Sequence, residues 1–215
     1  MGILILVFYW SSPLLSAQGN QDSLNEYGKR KVIPADYRSP VLKALSYFPE
    51  LKDISIVFLK VNAYTPLTTR PRFFSIFKPK QHREYVIRIS QKTIDTLMPL
   101  LFYHLNFEQK VGVIGHELSH VVDFDSKNFL QSIRNGIGHL SQRFLDRMEY
   151  NTDRICIEHG LGAFLLAFRR YVFTTMHVKK YWRGVDHVMQ ADEKYERYMN
   201  PETIEKVMKT LPNHL

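Results

Sequence analysis

Cysteine is nearly absent: Cys156 stands alone among 215 residues, so no intrachain disulfide can staple this chain. It lies within a helical pattern and reads as a small buried apolar side chain rather than a nucleophile. Cysteine scarcity does not fix the compartment. A bilayer-spanning hydrophobic run is also missing, because Ile3–Trp10 is too short and no later stretch is long and apolar enough. Internal repeats and low-complexity tracts are lacking. So is a long basic block, although the net charge is +8 and the pI about 9.5. Lys and Arg are scattered, with short clusters such as "GKRK" at 28–31. A basic pI alone is a weak footprint, so no nucleic acid is expected as a partner.

What is present is the composition of a folded domain, 45% hydrophobic and 13% aromatic. A chain of this length can bury one full core. The opening "MGILILVFYWSSPLLSAQGN" has an apolar run, then Ser, Pro and small residues, although no Lys or Arg precedes the run. It reads as a signal peptide over residues 1–18, cut near Ala17 or Gln18. The expectation is therefore an exported, soluble protein, periplasmic or secreted, with membrane association as the alternative. Residues 19–38 read as a polar linker or arm, and residues 39–215 as a single domain.

Periodicity assigns an α+β class, strands first and helices later. "SPVLKALSYFPEL" has helical spacing, with Ser39 and Pro40 as cap and first turn. Strands are expected at "ISIVFLKV" (54–61), "RFFSIFK" (72–78) and "EYVIRIS" (84–90), with the Pro-containing stretches between them as loops. "QKTIDTLMPLLFYHL" reads as a helix bent or broken at Pro99. Asn106 with Gln109 forms a capping-box pattern ahead of the next helix. A connector covers 125–138, followed by a long helix over 139–159 and the apolar "GLGAFLLAFRRYVF". That apolar helix suits core packing, with a membrane-surface helix holding Arg169 and Arg170 near lipid as the alternative. Polar helices close the chain at 187–199 and 201–210.

"VGVIGHELSH", residues 111–120, carries the chemistry. Helical residues four apart share a face, so His116 and His120 can aim two imidazoles at one ion. Glu117 falls beside that ion, placed to take a proton from water as a general base. Gly112 and Gly115 lower helix propensity, which points to close packing. No histidine lies six residues beyond His120, where Ser126 stands. The third ligand is sought in "DRMEYNTDRICIEHG": Glu149 could complete the set, and Asp153 could accept the free N–H of a ligand histidine. The alternative is an acidic strip on a solvated helix, with both carboxylates paired to arginines.

The HELSH helix followed by a helix bearing Glu-x-x-x-Asp resembles the gluzincin arrangement. More narrowly, "EYNTDRI" (149–155) is similar to the E-x-x-A-D-R signature of the family of the CAAX prenyl endopeptidase and the HtpX-like heat-shock proteases. "NAYTP" (62–66) is similar to an Asn-Ala segment that precedes a cleft-flanking strand there. The resemblance spans roughly residues 50–170. It implies a compact zincin-like metallopeptidase domain: a small N-terminal sheet, then a mainly helical part. It also implies zinc held by His116, His120 and Glu149, Glu117 as base, and Asp153 behind the ligands. Thr152 departs from the family's alanine, the family's membrane spans are absent, and His187 lacks the proline of a later His-Pro element.

The implied reaction is peptide-bond hydrolysis, with a peptide or protein as partner. Candidate donors for the oxyanion are His177, Tyr181, Arg183 and His187, and "EYVIRIS" is the expected edge for an extended substrate. Two other readings stand beside the endopeptidase: an inactive metal-binding scaffold, and a basic interaction protein of the cell envelope.

Overall fold

A computed structural model describes residues 23–72, 75, 78–79, 82–126, 142–184 and 196–211. The expected leader (1–18), most of the connector expected at 125–138, and most of the helix expected at 187–199 lie outside the described residues.

The chain is mixed α and β. Four strands, β1 (Lys31–Val32), β2 (Ser55–Asn62), β3 (Leu67–Pro71) and β4 (Glu84–Lys92), form one sheet in the order β1-β2-β4-β3. β1, β2 and β4 are parallel, while β3 runs antiparallel to β4. The stretch expected as a linker or arm thus supplies an edge strand. Lys31 Nζ fastens it by lying 2.7–3.0 Å from the carbonyls of Leu51, Lys52 and Ile54. Tyr37, from the same stretch, is buried in the core.

Two strand expectations are corrected. "RFFSIFK" is not a strand where described; the third strand is the Leu67–Pro71 stretch expected to be loop. The register places Pro71 opposite Tyr85, so the antiparallel pairing ends there and Arg72 already lies beyond β3. Tight turns begin there, with the Ser75 and Lys78 amides donating to the carbonyls of Arg72 and Ser75. In addition, "EYVIRIS" is no edge: it is central, between β2 and β3, and the two edge strands are β1 and β3.

The helices are α1 (Arg38–Leu45), α2 (Phe107–Ser126), α3 (Gln142–Cys156), α4 (Gly162–Thr175) and α5 (Pro201–Thr210). α1 starts at Arg38, directly out of the turn Ala35–Tyr37, so Ser39 is not its cap. The segment expected as a Pro99-broken helix is two tight 3-10 turns, Asp95–Leu100 and Phe102–His104, separated by the extended Leu101. Between α3 and α4 the chain turns at Gly160, whose φ of +84° is a conformation that lacks a Cβ penalty only in glycine.

α2 is the centre of the molecule, packed against α1, α3, α4 and β3. The main core joins sheet residues such as Ile56, Phe58 and Ile87 to Ile114, Leu118 and Val121 of α2. Each such side chain contributes roughly 1.5–3 kcal/mol by leaving water. Among the described residues no helix is long and apolar enough to cross a membrane.

Candidate metal centre

α2 begins with its capping box. The Gln109 amide donates to Asn106 Oδ1 and the Asn106 amide to Gln109 Oε1, each at 2.9 Å. Two otherwise orphaned N–H groups are satisfied, which fixes where the helix starts and hence its rotational phase. An ideal Cβ on Gly112 would lie 2.2 Å from the carbonyl oxygen of Phe164, and one on Gly115 would lie 2.7 Å from Leu161 Cδ1. The two glycines therefore let α4 and the turn before it lie directly on α2. One turn apart, the His116 and His120 rings stand 4.9 Å from each other and nearly perpendicular, at 89°.

α3 brings Glu149 to them. Its Oε2 lies 3.1 Å from His116 Nε2 and 3.2 Å from His120 Nε2. Two imidazole nitrogens and one carboxylate oxygen thus lie within 4.8 Å of one another. Bonds of about 2.0–2.1 Å at tetrahedral angles imply ligand–ligand separations of roughly 3.3 Å, close to those observed. The donor set fits zinc, whose catalytic sites use His and carboxylate ligands and keep one position open.

The opposite face of each ring supports the same assignment. His116 Nδ1 lies 2.8 Å from Asp153 Oδ1 and donates to that carboxylate. His120 Nδ1 lies 3.2 Å from Thr152 Oγ1, whose own proton goes to the Met148 carbonyl at 2.9 Å. A hydroxyl has one proton, so Thr152 accepts from His120. Both rings therefore carry a proton on Nδ1 and turn Nε2 toward Glu149. Thr152 thereby orients the His120 ring.

The cluster is strongly coupled electrostatically. Burial pulls the His116 pKa down, but hydrogen bonds to Asp153 and Glu149 outweigh it and raise the value to about 10. Burial alone would lift Glu149, yet the His120 and His116 imidazoles hold it well below the usual carboxylate range.

Asp153 is fully buried. Arg169 Nη2 donates to its two oxygens, at 3.0 Å each, and the Met199 amide donates to Oδ2 at 2.8 Å. The acidic pair is therefore not a solvated strip. One arginine does pair with Asp153, but inside the protein, and it shares the carboxylate with His116. Because Arg169 points inward, it does not face lipid; Arg170, its neighbour, turns outward to Glu205.

Glu117 is also buried, and Thr69 Oγ1 of the edge strand lies 2.7 Å from its Oε2. Around these groups opens a cavity of about 630 Å³, walled by β3, α2, α3, α4 and the segments around Trp182 and Tyr198. Of the expected oxyanion donors, His177 and Tyr181 do not line this cavity, Arg183 is turned to Asp146 at 2.9 Å, and His187 lies outside the described residues. Tyr198, which the sequence did not single out, does line it, with the Arg169 guanidinium 4.9 Å from its ring centre. Thr69 was likewise missed, while Thr152 was noted only as a departure from a motif and Arg169 only as a cation that could face lipid. Only Arg169 had a sequence signal: a cation within an apolar helix needs a buried partner.

No family model, curated protein or solved structure matches this chain.

Proposed function

We propose that this chain is a zinc-dependent endopeptidase of the gluzincin kind, with a zincin-like arrangement of its sheet and two ligand helices. One observation carries the reading: His116, His120 and Glu149 converge within 4.8 Å, beside a buried Glu117 that borders a cavity. The similarity of "HELSH" and "EYNTDRI" to the CAAX prenyl endopeptidase and HtpX-like proteases supports it further. Residues 1–18 suggest that the protein is exported.

Zinc, when bound, supplies a Lewis acid for the substrate carbonyl and brings the pKa of water to around 7. Glu117 takes the proton of the attacking water and later delivers one to the leaving amine. Asp153 and Thr152 hold the two imidazoles in the tautomer that ligation requires. The free edge of β3 receives the peptide as an added strand, aligning the scissile bond over Glu117.

The test is zinc stoichiometry of the purified protein together with casein cleavage, for wild type and for Glu117→Gln. One zinc per chain, cleavage by wild type and its loss in the variant are expected. Zinc without cleavage would instead mark an inactive metal-binding scaffold. No stoichiometric zinc, with salt-sensitive polyanion binding, would mark a basic interaction protein. Full activity in Glu117→Gln would defeat the assigned base.

A further inference from the structure

We infer that Asp146 is a positioning residue: it fastens the Trp182–Tyr198 wall of the cavity to the helix that carries Glu149. Its kinetic consequence rests on the endopeptidase reading; its structural consequence does not.

Asp146, Glu149 and Asp153 stand at i, i+3 and i+7 of α3, so they share one face. Glu149 reaches the histidines and Asp153 backs His116, whereas Asp146 lies outside the ligand cluster. It is nonetheless buried, as are Arg183 and Arg197. Arg183 Nη2 donates to both Asp146 oxygens, at 2.9 and 3.2 Å, and Arg197 Nε donates to Oδ1 at 2.9 Å. The other nitrogens of Arg197 donate to the Arg183 carbonyl, at 3.4 Å, and to Gln142 Oε1. One carboxylate thus gathers two guanidiniums from positions 14 residues apart, and one of them also grips the backbone of the other.

What these arginines carry borders the cavity. Arg183 follows Trp182, Arg197 precedes Tyr198, and Trp182 pairs with Tyr198 in an isolated antiparallel bridge. Both bridge residues line the cavity, and the Tyr198 ring centre lies 5.8 Å from that of His116. A lone bridge has little stability of its own. Trp182 packs against Leu97, Leu100 and Val172, but apolar packing is non-directional. Guanidinium–carboxylate bonds are directional, so they fix where the bridge stands relative to α3. Burying such a charge cluster costs desolvation that apolar side chains would not. Its effect is geometric.

β3 reaches the same cavity at Glu117, through Thr69. A peptide paired with β3 therefore passes the candidate metal centre with Tyr198 and Trp182 as its other boundary. Asp146 sets the position of that boundary without touching the substrate. Contacts to such a wall act on substrate and transition state alike, which is uniform binding.

The test uses the full zinc-loaded chain carrying Trp10→Phe, which leaves Trp182 as its one tryptophan. Asp146→Asn keeps the shape and removes the charge. Trp182 emission should shift to the red and acrylamide should quench it more strongly, with zinc still bound at wild-type affinity. For a casein-derived peptide, kcat/KM should fall about a hundredfold, as for a misplacement of about 1 Å. That change should lie in KM, not kcat. Arg197→Lys keeps the charge but loses the planar fork, so it should shift emission the same way; it decides the matter if Asp146→Asn does not fold. Unaltered Trp182 emission in a folded variant overturns the inference. So does loss of zinc, which would place the effect on the ligand helix, or a red shift with unchanged KM. If the wild type cleaves no peptide, the endopeptidase reading fails, and emission and quenching alone uphold or reject the role of Asp146.

Discussion

Thr69 Oγ1 and Glu117 Oε2 lie 2.7 Å apart, joining the free edge strand to the helix that carries the histidines. The same hydroxyl is 3.2 Å from the Glu117 carbonyl, a longer and weaker alternative for its single proton. The carboxylate is thereby held from the side on which a peptide would pair.

Replacing Thr69 by valine keeps the shape and removes the donor. Steady-state kinetics should show kcat falling by about tenfold, equivalent to roughly 1.4 kcal/mol of lost positioning, with one zinc still bound. Thr69→Ser should restore most of the rate. An unchanged kcat in Thr69→Val would remove the hydroxyl from the mechanism.

The Asp153–Arg169 pair is nearly inaccessible, at 0% and 2% exposure. Breaking a buried pair leaves a charge without compensation and typically costs about 3–5 kcal/mol. Arg169→Met should therefore lower the denaturation midpoint markedly, as followed by circular dichroism in urea. Asp153→Asn should weaken zinc about 10–100-fold by releasing the His116 ring, measured by competition with a chelator. A surface-like response of Arg169→Met, under about 0.5 kcal/mol, would contradict the burial of the pair.

Metal uptake should release protons. With its pKa raised to about 10, the metal-free His116 is protonated at pH 7, whereas ligation needs its neutral nitrogen. The direction is fixed: apparent zinc affinity rises with pH up to about 10 and falls in acid. Calorimetric titration at pH 7 in buffers of different ionisation enthalpy should report release of about one proton per zinc. A heat independent of buffer would show that His116 is already neutral.

Gly112 tests the packing that places Arg169. An alanine methyl there would meet the Phe164 carbonyl, a backbone atom, so α4 must move. Gly112→Ala should destabilise by at least about 1–3 kcal/mol. Gly115→Ala should cost less, because the atom it meets most closely is the end of a leucine side chain, Leu161 Cδ1. The reverse ranking in denaturant melts would place the tight contact elsewhere.

The parts legible in sequence were those governed by neighbours along the chain. Asn106 and Gln109 interact across three residues, and "ISIVFLKV" announces a strand by its β-branched side chains. β3 was not legible. Leu67–Pro71 has little apolar patterning because one side of this edge strand borders the cavity, so ordinary core selection does not act on it. The aromatic "RFFSIFK" looked more strand-like, but β3 ends at Pro71, and of this segment's described residues, Arg72, Ser75 and Lys78, none is in a strand.

The same division runs through the candidate centre. That His116 and His120 share a face was determined by the sequence alone, since a helix repeats every 3.6 residues wherever it lies. Which carboxylate reaches them, how Asp153 divides itself between His116 and Arg169, and which strand touches Glu117 were decided only by tertiary structure. Those contacts join residues 16 to 48 positions apart. Their distances follow from how α3, α4 and β3 pack on α2, where glycines set the approach, and no local periodicity encodes that packing.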